Sequence, residues 1–306
     1  MRKVYLFSFL FLLSFSTHGY AQDTQDLTDL SLEALMSIRF TESGFMDIHH
    51  VHPKGEWMIS YKYGQVLMRG NRDRASRQSN GEVLRPFMVT PTEMTMGMHM
   101  SGIMFGTTDR LTLMGMISYR DLSMDHLTRL GASFTAEAKG IGDLNISGLY
   151  AVQKNDTQQT ILTFGLSIPT GSINRKDDLP SGPDQRLPYP MQLRSGTLDP
   201  FVSATYIRLL DNSFTGGYVK RFFRSAENKN NYRSGNGILA TGWYSYIWNE
   251  VLSFPIRFDG QIWNNIKGAE PVLNPGLVPT AVPHLRGGKR INVGIGISAY
   301  IPKGAL

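Results

Sequence analysis

The sequence contains no cysteine, which excludes disulfide bridges, thiol catalysis and zinc sites with cysteine ligands. Charged residues make up only 18% of the chain, and the formal net charge of +6 is too small and too scattered to predict a nucleic-acid partner. Beyond the N-terminus, no run reaches the roughly 18 apolar residues that a transmembrane helix needs. No Gly-x-Ser-x-Gly elbow is present and no Ser/His/Asp grouping stands out, so we predict that the protein is not an enzyme. We also expect no cofactor.

The N-terminus has the pattern of a secretory signal peptide. Arg2 and Lys3 precede a short apolar run at 4–15, and small residues follow at Gly19 and Ala21, the positions that signal peptidase reads. An uncleaved anchor is the alternative, but the run is shorter than the roughly 20 residues that span a bilayer. We therefore predict a signal peptide at 1–21 and export from the cytoplasm.

Residues 22–54 differ from the rest of the chain. Apolar residues at helical spacing, from Leu27 to Leu35, predict one short amphipathic helix in a periplasmic segment. Three histidines, His49, His50 and His52, end this segment. Imidazoles this close together bind copper, zinc or nickel in many proteins, whereas histidines of a flexible segment are more often only solvated.

From residue 55 onward, apolar and polar residues alternate with a period of two, as in strands that have one apolar and one polar face. Each alternating segment is about as long as the roughly 9–11 residues of a tilted transmembrane strand. The predicted strands are 56–68, 92–105, 111–120, 143–152, 160–168, 198–210, 213–223, 237–248, 251–263 and 291–301.

Long and short connections alternate between these strands, as in membrane barrels with outer loops and periplasmic turns. The long connections are 69–91, 121–142, 169–197, 224–236 and 264–290, and the short ones are 106–110, 153–159, 211–212 and 249–250. We predict an all-β, antiparallel transmembrane β-barrel of about 10 strands over 55–306, or 12 if 121–142 contains another hairpin. The expected partners are outer-membrane lipids, including lipopolysaccharide, and the barrel assembly machinery.

Two motifs carry a resemblance to a known family. They are Gly140-Ile141-Gly142-Asp143-Leu144 and, after Leu149-Tyr150, the segment Phe164-Gly165-Leu166-Ser167-Ile168-Pro169-Thr170-Gly171. In these motifs the chain resembles the outer-membrane transporter family named for the meta-pathway of phenol degradation, and the likeness runs from about His52 to the C-terminus. The resemblance implies a barrel in the outer membrane with a transport role.

Methionine is unusually concentrated, since nine of the fifteen methionines lie between Met88 and Met124. Five of them follow one another at even spacing on one face of a strand. One interpretation is that this row is a thioether track for a soft ion such as Cu(I) or Ag(I). The other is that the row faces lipid and leaves His99 in the lumen. The second is favoured because a histidine that faces lipid is costly. The candidate metal ligands are Met58, Met68, Met94, Met96, Met98, Met100, Met104, Met114, Met116, His99, His49, His50 and His52.

The sequence as a whole predicts a channel or transporter in the outer membrane. A barrel this narrow suits small solutes, soft metal ions or small hydrophobic molecules. The alternatives are a non-conducting structural or metal-sequestering barrel and an outer-membrane enzyme that modifies lipids.

Overall fold

The computed structural model describes residues 11–15, 50–249 and 252–299. The predicted helix around residues 27–35 and the C-terminal residues 300–306 lie outside these ranges. None of the helices in the described ranges has the length and apolar character needed to cross a membrane.

Antiparallel strands make up most of the described chain. The first nine are β1 (Phe11–Phe15), β2 (Trp57–Arg69), β3 (Asn71–Asp73), β4 (Ser76–Gln78), β5 (Val89–Thr108), β6 (Leu111–Thr128), β7 (Ser133–Ile141), β8 (Leu144–Lys154) and β9 (Gln158–Ile168). The others are β10 (Lys176–Leu179), β11 (Gly182–Arg186), β12 (Asp199–Leu210), β13 (Ser213–Phe222), β14 (Tyr232–Arg233), β15 (Gly237–Ile247), β16 (Leu252–Trp263), β17 (Lys267–Gly268), β18 (Gly288–Ile295) and β19 (Ser298–Ala299). One short helix, α1 (Asn80–Val83), and 3-10 turns at Tyr189–Met191, Pro279–Ala281 and Pro283–Leu285 lie in the connections.

The long strands form a single sheet in which neighbours along the chain are also neighbours in space. The order is β1-β2-β5-β6-β8-β9-β12-β13-β15-β16-β18, with β7 beside β6 and β19 beside β16. Short turns, such as the one at 211–212, lie at one end, which we call the short-turn end. The connections 169–198, 223–236 and 264–287 lie at the other, the long-loop end. This is the predicted all-β antiparallel arrangement.

The predicted long connection at 121–142 is wrong. Strand β6 continues to Thr128, and β7 pairs with its C-terminal half, from Leu127 opposite Ser133 to Tyr119 opposite Ile141. Strand β8 pairs with the N-terminal half of β6, so β7 and β8 lie end to end along the same neighbouring strand. The segment lengthens an existing strand pair instead of adding another, and the total number of strands in the barrel stays a prediction.

The two faces of the sheet differ in character, as the period of two predicts. Large apolar side chains cover the outer face: Trp57, Ile59, Phe164 and Phe258 are each more than half exposed. The inner face is buried. Near the short-turn end it forms one apolar cluster of Val51, Met58, Met104, Leu149, Ala151, Ile161, Ile207, Phe214, Tyr218 and Trp243.

Strand β1 lies inside the predicted signal peptide. It pairs with β2 from Phe11 opposite Gln65 to Phe15 opposite Tyr61. This pairing occupies the edge of β2 that faces away from β5.

The long connections contact one another above the sheet. The side chains of Arg186 and Glu270 form an ion pair at 3.3 Å, and the backbone amide of Glu270 donates to the Tyr189 hydroxyl at 3.0 Å. The rings of Tyr189 and Tyr232 meet edge to face with centroids 4.9 Å apart. Burial raises the pKa of Tyr232 to about 12, so its hydroxyl stays neutral at physiological pH. The connections therefore dock as one layer, which we call the loop cap.

Candidate functional site

The break between β7 and β8 brings the two sequence motifs together on the inner face. Thr170 Oγ1 accepts a hydrogen bond from the amide of Leu144 at 2.9 Å and donates one to the carbonyl of Gly142 at 2.8 Å. Asp143 is fully buried, and its Oδ1 accepts a hydrogen bond from the amide of Gly171 at 3.0 Å. A threonine and an aspartate thus replace the sheet hydrogen bonds that the break interrupts.

The glycines of these motifs leave room for arginine side chains. A methyl group added at Gly142 would come within 2.6 Å of Ser118 Oγ and 3.2 Å of Arg194 Nε. At Gly140, whose φ of +148° already favours glycine, it would clash with the Arg175 guanidinium. Glycine is therefore required because backbone and guanidinium groups approach closely here.

A third arginine lies beside these two. Arg120 stands opposite Gly140 in the pairing of β6 with β7. Arg175 and Arg194 lie in the connection 169–198, which the Gln192 side chain holds in place. The backbone amide of Arg175 donates to Gln192 Oε1 at 2.8 Å, and Gln192 Nε2 donates to the carbonyl of Leu187 at 2.7 Å. The connection folds inward, with Leu187, Met191 and Leu193 fully buried.

A second buried carboxylate completes the group. Asp199 forms an ion pair with Arg224 and accepts hydrogen bonds from Ser195 Oγ at 2.5 Å and Thr197 Oγ1 at 2.7 Å. We call Arg120, Arg175, Arg194, Arg224, Asp143 and Asp199 the charged site. Four guanidinium groups against two carboxylates leave it a formal excess of two positive charges.

Burial shapes the electrostatics of the charged site. The pKa of Arg194, in the inward-folded connection, is lowered chiefly by burial; Asp143 acts in the opposite direction and Arg224 lowers it further. Arginine nevertheless keeps its proton in proteins, because its ordinary pKa is so high. The charged site is therefore a fixed positive region in the lumen.

The methionine row faces inward, so the prediction that it faces lipid is wrong. Met104 stands opposite Met58 on one side and Met114 on the other, and residues directly opposite share a face. Met58 and Met104 are buried. Met58, Met68, Met114 and Met116 lie on this inner face, and the rest of the row, Met94, Met96, Met98 and Met100, shares it.

His99 faces outward, so its predicted lumenal position is also wrong. Its Nδ1 shares a hydrogen bond with the Tyr61 hydroxyl at 2.6 Å, and its ring lies 4.8 Å from that of Tyr63 and 6.3 Å from that of Tyr119. A histidine facing lipid is costly only when its polar atoms lack partners. The hydrogen bond with Tyr61 engages one of the two ring nitrogens and so lowers that cost.

His50 and His52 are buried against the inner wall and are not solvated in a flexible segment. They are 4% and 2% exposed, and their rings lie 4.5 Å apart. The amide of His52 donates to Thr112 Oγ1 at 2.7 Å, and His52 Nδ1 lies 3.3 Å from Glu56 Oε2. His49 lies outside the described residues. Within 50–249 and 252–299, no three histidine, aspartate or glutamate side chains converge as a metal site.

The arrangement as a whole defines an outer-membrane β-barrel, with an apolar outer face, charges inside, turns at one end and long loops at the other. Residues 72–269, well over half of the chain, match the family model described as "Putative MetA-pathway of phenol degradation". The protein belongs to this family.

The structure is also similar to the crystal structure of an outer membrane channel from Pseudomonas putida F1. The TM-score is 0.58 at 15% sequence identity, and the match covers 84% of this chain and 87% of that one. At this identity the likeness establishes the fold. No curated protein matches the sequence. The predicted family, fold class and outer-membrane location are borne out by the family match and this fold together.

Sequence reasoning did not identify the charged site. Its arginines come from β6, from the inward-folded connection and from the segment after β13, so no local spacing relates them. A signal was nevertheless present: Gly140, Gly142 and Gly171 lie in the two motifs that carry the resemblance, and each glycine adjoins an arginine side chain.

Proposed function

We propose that the protein is an outer-membrane channel for small solutes. One observation supports this most directly: the inner face carries a cluster of buried charge, the charged site. An interior that served only for packing would be filled with apolar side chains, as it is near the short-turn end. Charged linings are how channels attract and select solutes.

The apolar cluster near the short-turn end sets the width of this channel. Val51, which precedes β2, belongs to this cluster, whose other buried residues come from seven strands of the inner wall. The hydrogen bond from the His52 amide to Thr112 Oγ1 holds this segment in place. Solute flow therefore depends on whether residues 50–53 stay docked.

Conductance of the purified protein in planar lipid bilayers tests the proposal. The wild type should show small, discrete conductance steps. Thr112→Val removes the acceptor for His52 with little change in volume and should lengthen the open periods. Thr160→Val, also in a strand but half-buried, is the matched control. If neither the wild type nor Thr112→Val conducts, the alternatives are a structural or metal-sequestering barrel and an enzyme acting on membrane lipids, and acyl transfer or hydrolysis of lipids is the next assay.

A soft metal ion, Cu(I) or Ag(I), is a second candidate solute. The register places Met58, Met104 and Met114 side by side on the inner face, while His52 binds Thr112, two residues from Met114 on the same face. Neighbouring strands are about 4.8 Å apart, close enough for thioethers on adjacent strands to share one ion. Thioethers select soft ions over Zn(II) or Mg(II).

Silver binding tests this second candidate. Changing Met58, Met104 and Met114 to Leu keeps the buried volume nearly constant, so a loss of Ag(I) binding would report on ligation. Met88→Leu, at an exposed methionine, is the control. Equal Ag(I) binding by the triple variant and the wild type would show that these methionines are only apolar packing.

A further inference from the structure

We infer that the charged site binds a small oxyanion, a carboxylate or phosphate group, as a subsite for solutes on their way through the lumen. The inference deepens the proposed function, since a binding step in the lumen presupposes a channel. It rests on the positions, burial and free hydrogen-bond donors of Arg120, Arg175, Arg194 and Ser118.

Several donors converge on one small region. The distances from position 142 place Ser118 Oγ and Arg194 Nε around the same point, the space that a side chain there would fill. The Arg175 guanidinium lies against the neighbouring Gly140, and Arg120 is directly across the strand pair from Gly140. Three guanidinium groups and a hydroxyl thus come from β6 and from the inward-folded connection to one stretch of the inner wall.

These donors are not used within the fold. The Nε atoms of Arg120, Arg175 and Arg194 are buried without a hydrogen-bond acceptor among the described residues, as is the hydroxyl of Ser118. Ser118 itself is only 8% exposed. Buried polar groups in native proteins almost always have partners, because an unpartnered one costs about 1–3 kcal/mol. The donors therefore point to a ligand that supplies acceptors.

The charge and shape of the site define that ligand. The two carboxylates are already engaged, Asp143 by the Gly171 amide and Asp199 by Arg224, Ser195 and Thr197. The excess positive charge calls for an anion, and the planar guanidinium fork matches the oxygens of a carboxylate or a phosphate. A halide offers no such pair of oxygens.

Isothermal titration of the purified full-length protein with inorganic phosphate and with acetate tests the inference. The wild type should bind at least one of these anions. The double variant Arg120→Gln with Arg194→Gln should bind it on the order of tenfold or more weakly, since each charge-assisted hydrogen bond is worth that much. Arg208→Gln, which removes an exposed arginine of β12, should bind like the wild type.

A second variant guards against misfolding of the double variant. Arg194→Lys keeps the charge but loses the fork, so it should bind the oxyanion more weakly while chloride preference in a KCl gradient stays unchanged. An absence of binding by the wild type, or equal binding by the wild type and the double variant, overturns the inference. Anion binding by a barrel that shows no conductance would leave the subsite standing and overturn the proposed function instead.

Discussion

Asp143 Oδ1 accepts a hydrogen bond from the amide of Gly171 at 3.0 Å, and this contact joins two motifs that lie 28 residues apart in the chain. The same carboxylate attracts Arg194 and Arg224. One side chain thus has two separable roles: it closes the break between β7 and β8, and it offsets part of the positive charge in the lumen.

Two substitutions at Asp143 should separate these roles. Asp143→Asn keeps an oxygen that can accept from Gly171 but removes the negative charge, so the barrel should stay folded and become more anion-selective. Asp143→Ala removes both and should lower the free energy of unfolding by about 1–3 kcal/mol. Reversal potentials in a KCl gradient and urea unfolding in detergent measure the two effects. Asp125→Asn, at an exposed carboxylate, should change neither, and unchanged selectivity in Asp143→Asn would count against a lumenal position for the charge.

Glycine at position 142 should be required for stability. In Gly142→Ala the new methyl group meets Ser118 Oγ and Arg194 Nε, so a cost of about 1–3 kcal/mol is expected from overpacking. Gly148→Ala in β8 is the control, because its nearest side-chain atoms would lie at an ordinary 3.8 Å. The temperature at which the folded band shifts on heat-modifiability gels gives the comparison. Equal midpoints for the two variants would mean that Arg194 moves aside easily.

The predicted signal peptide should be absent from the mature protein. Intact-mass measurement of the outer-membrane form should give a chain that starts at Gln22. Ala21→Arg should block cleavage and keep β1 paired with the edge of β2. A barrel without an open edge needs that side of β2 to pair with the strand that closes the barrel. This variant should fail to form a heat-modifiable barrel, whereas Gln22→Ala should be processed normally. A mature protein that retains residues 1–21 would disprove the assignment.

The loop cap should loosen as pH rises. Burial raises the pKa of Glu270 above its ordinary value of 4.5, and Arg186 opposes this shift. A carboxyl group whose pKa is raised in the docked state stabilises docking fully at a pH below its ordinary pKa. This stabilisation is lost as the pH rises through the pKa of the docked state.

Spin labels can follow this change because the chain has no native cysteine. Labels at Lys229→Cys and Val272→Cys, both exposed, should show a broader distance distribution at pH 8 than at pH 4. Glu270→Gln should make the distribution independent of pH, whereas Glu227→Gln at an exposed site should not. A distribution that is already independent of pH in the wild type would contradict this prediction.

The sequence predicts the sheet well because the outer face must be apolar wherever lipid touches it. The period of two then marks both the strands and their faces. This reasoning fails in the parts of the strands that extend beyond the membrane, because the outer face there no longer contacts lipid. Asp121 and Lys139 face outward on the upper part of β6 and β7 and form an ion pair at 3.4 Å, and such polar residues look like a loop when they are read from the sequence alone.

The site was harder to predict because partners decide where a polar residue points. His99 faces outward because the Tyr61 hydroxyl shares a hydrogen bond with its Nδ1 atom. A rule that considers one residue at a time cannot predict such a partner. The arginines of the charged site come together only through register and loop folding. Their glycine neighbours were visible in the sequence, but a glycine does not reveal which side chain fills the space beside it.

The loop cap also determines which protein surface is presented to the outside of the cell. Arg186, Tyr189, Tyr232 and Glu270 belong to three different connections, and their contacts hold those connections in one surface. An antibody or a phage that recognises this surface binds a discontinuous epitope, which exists only in the folded protein. Peptides copied from any one connection would not reproduce it.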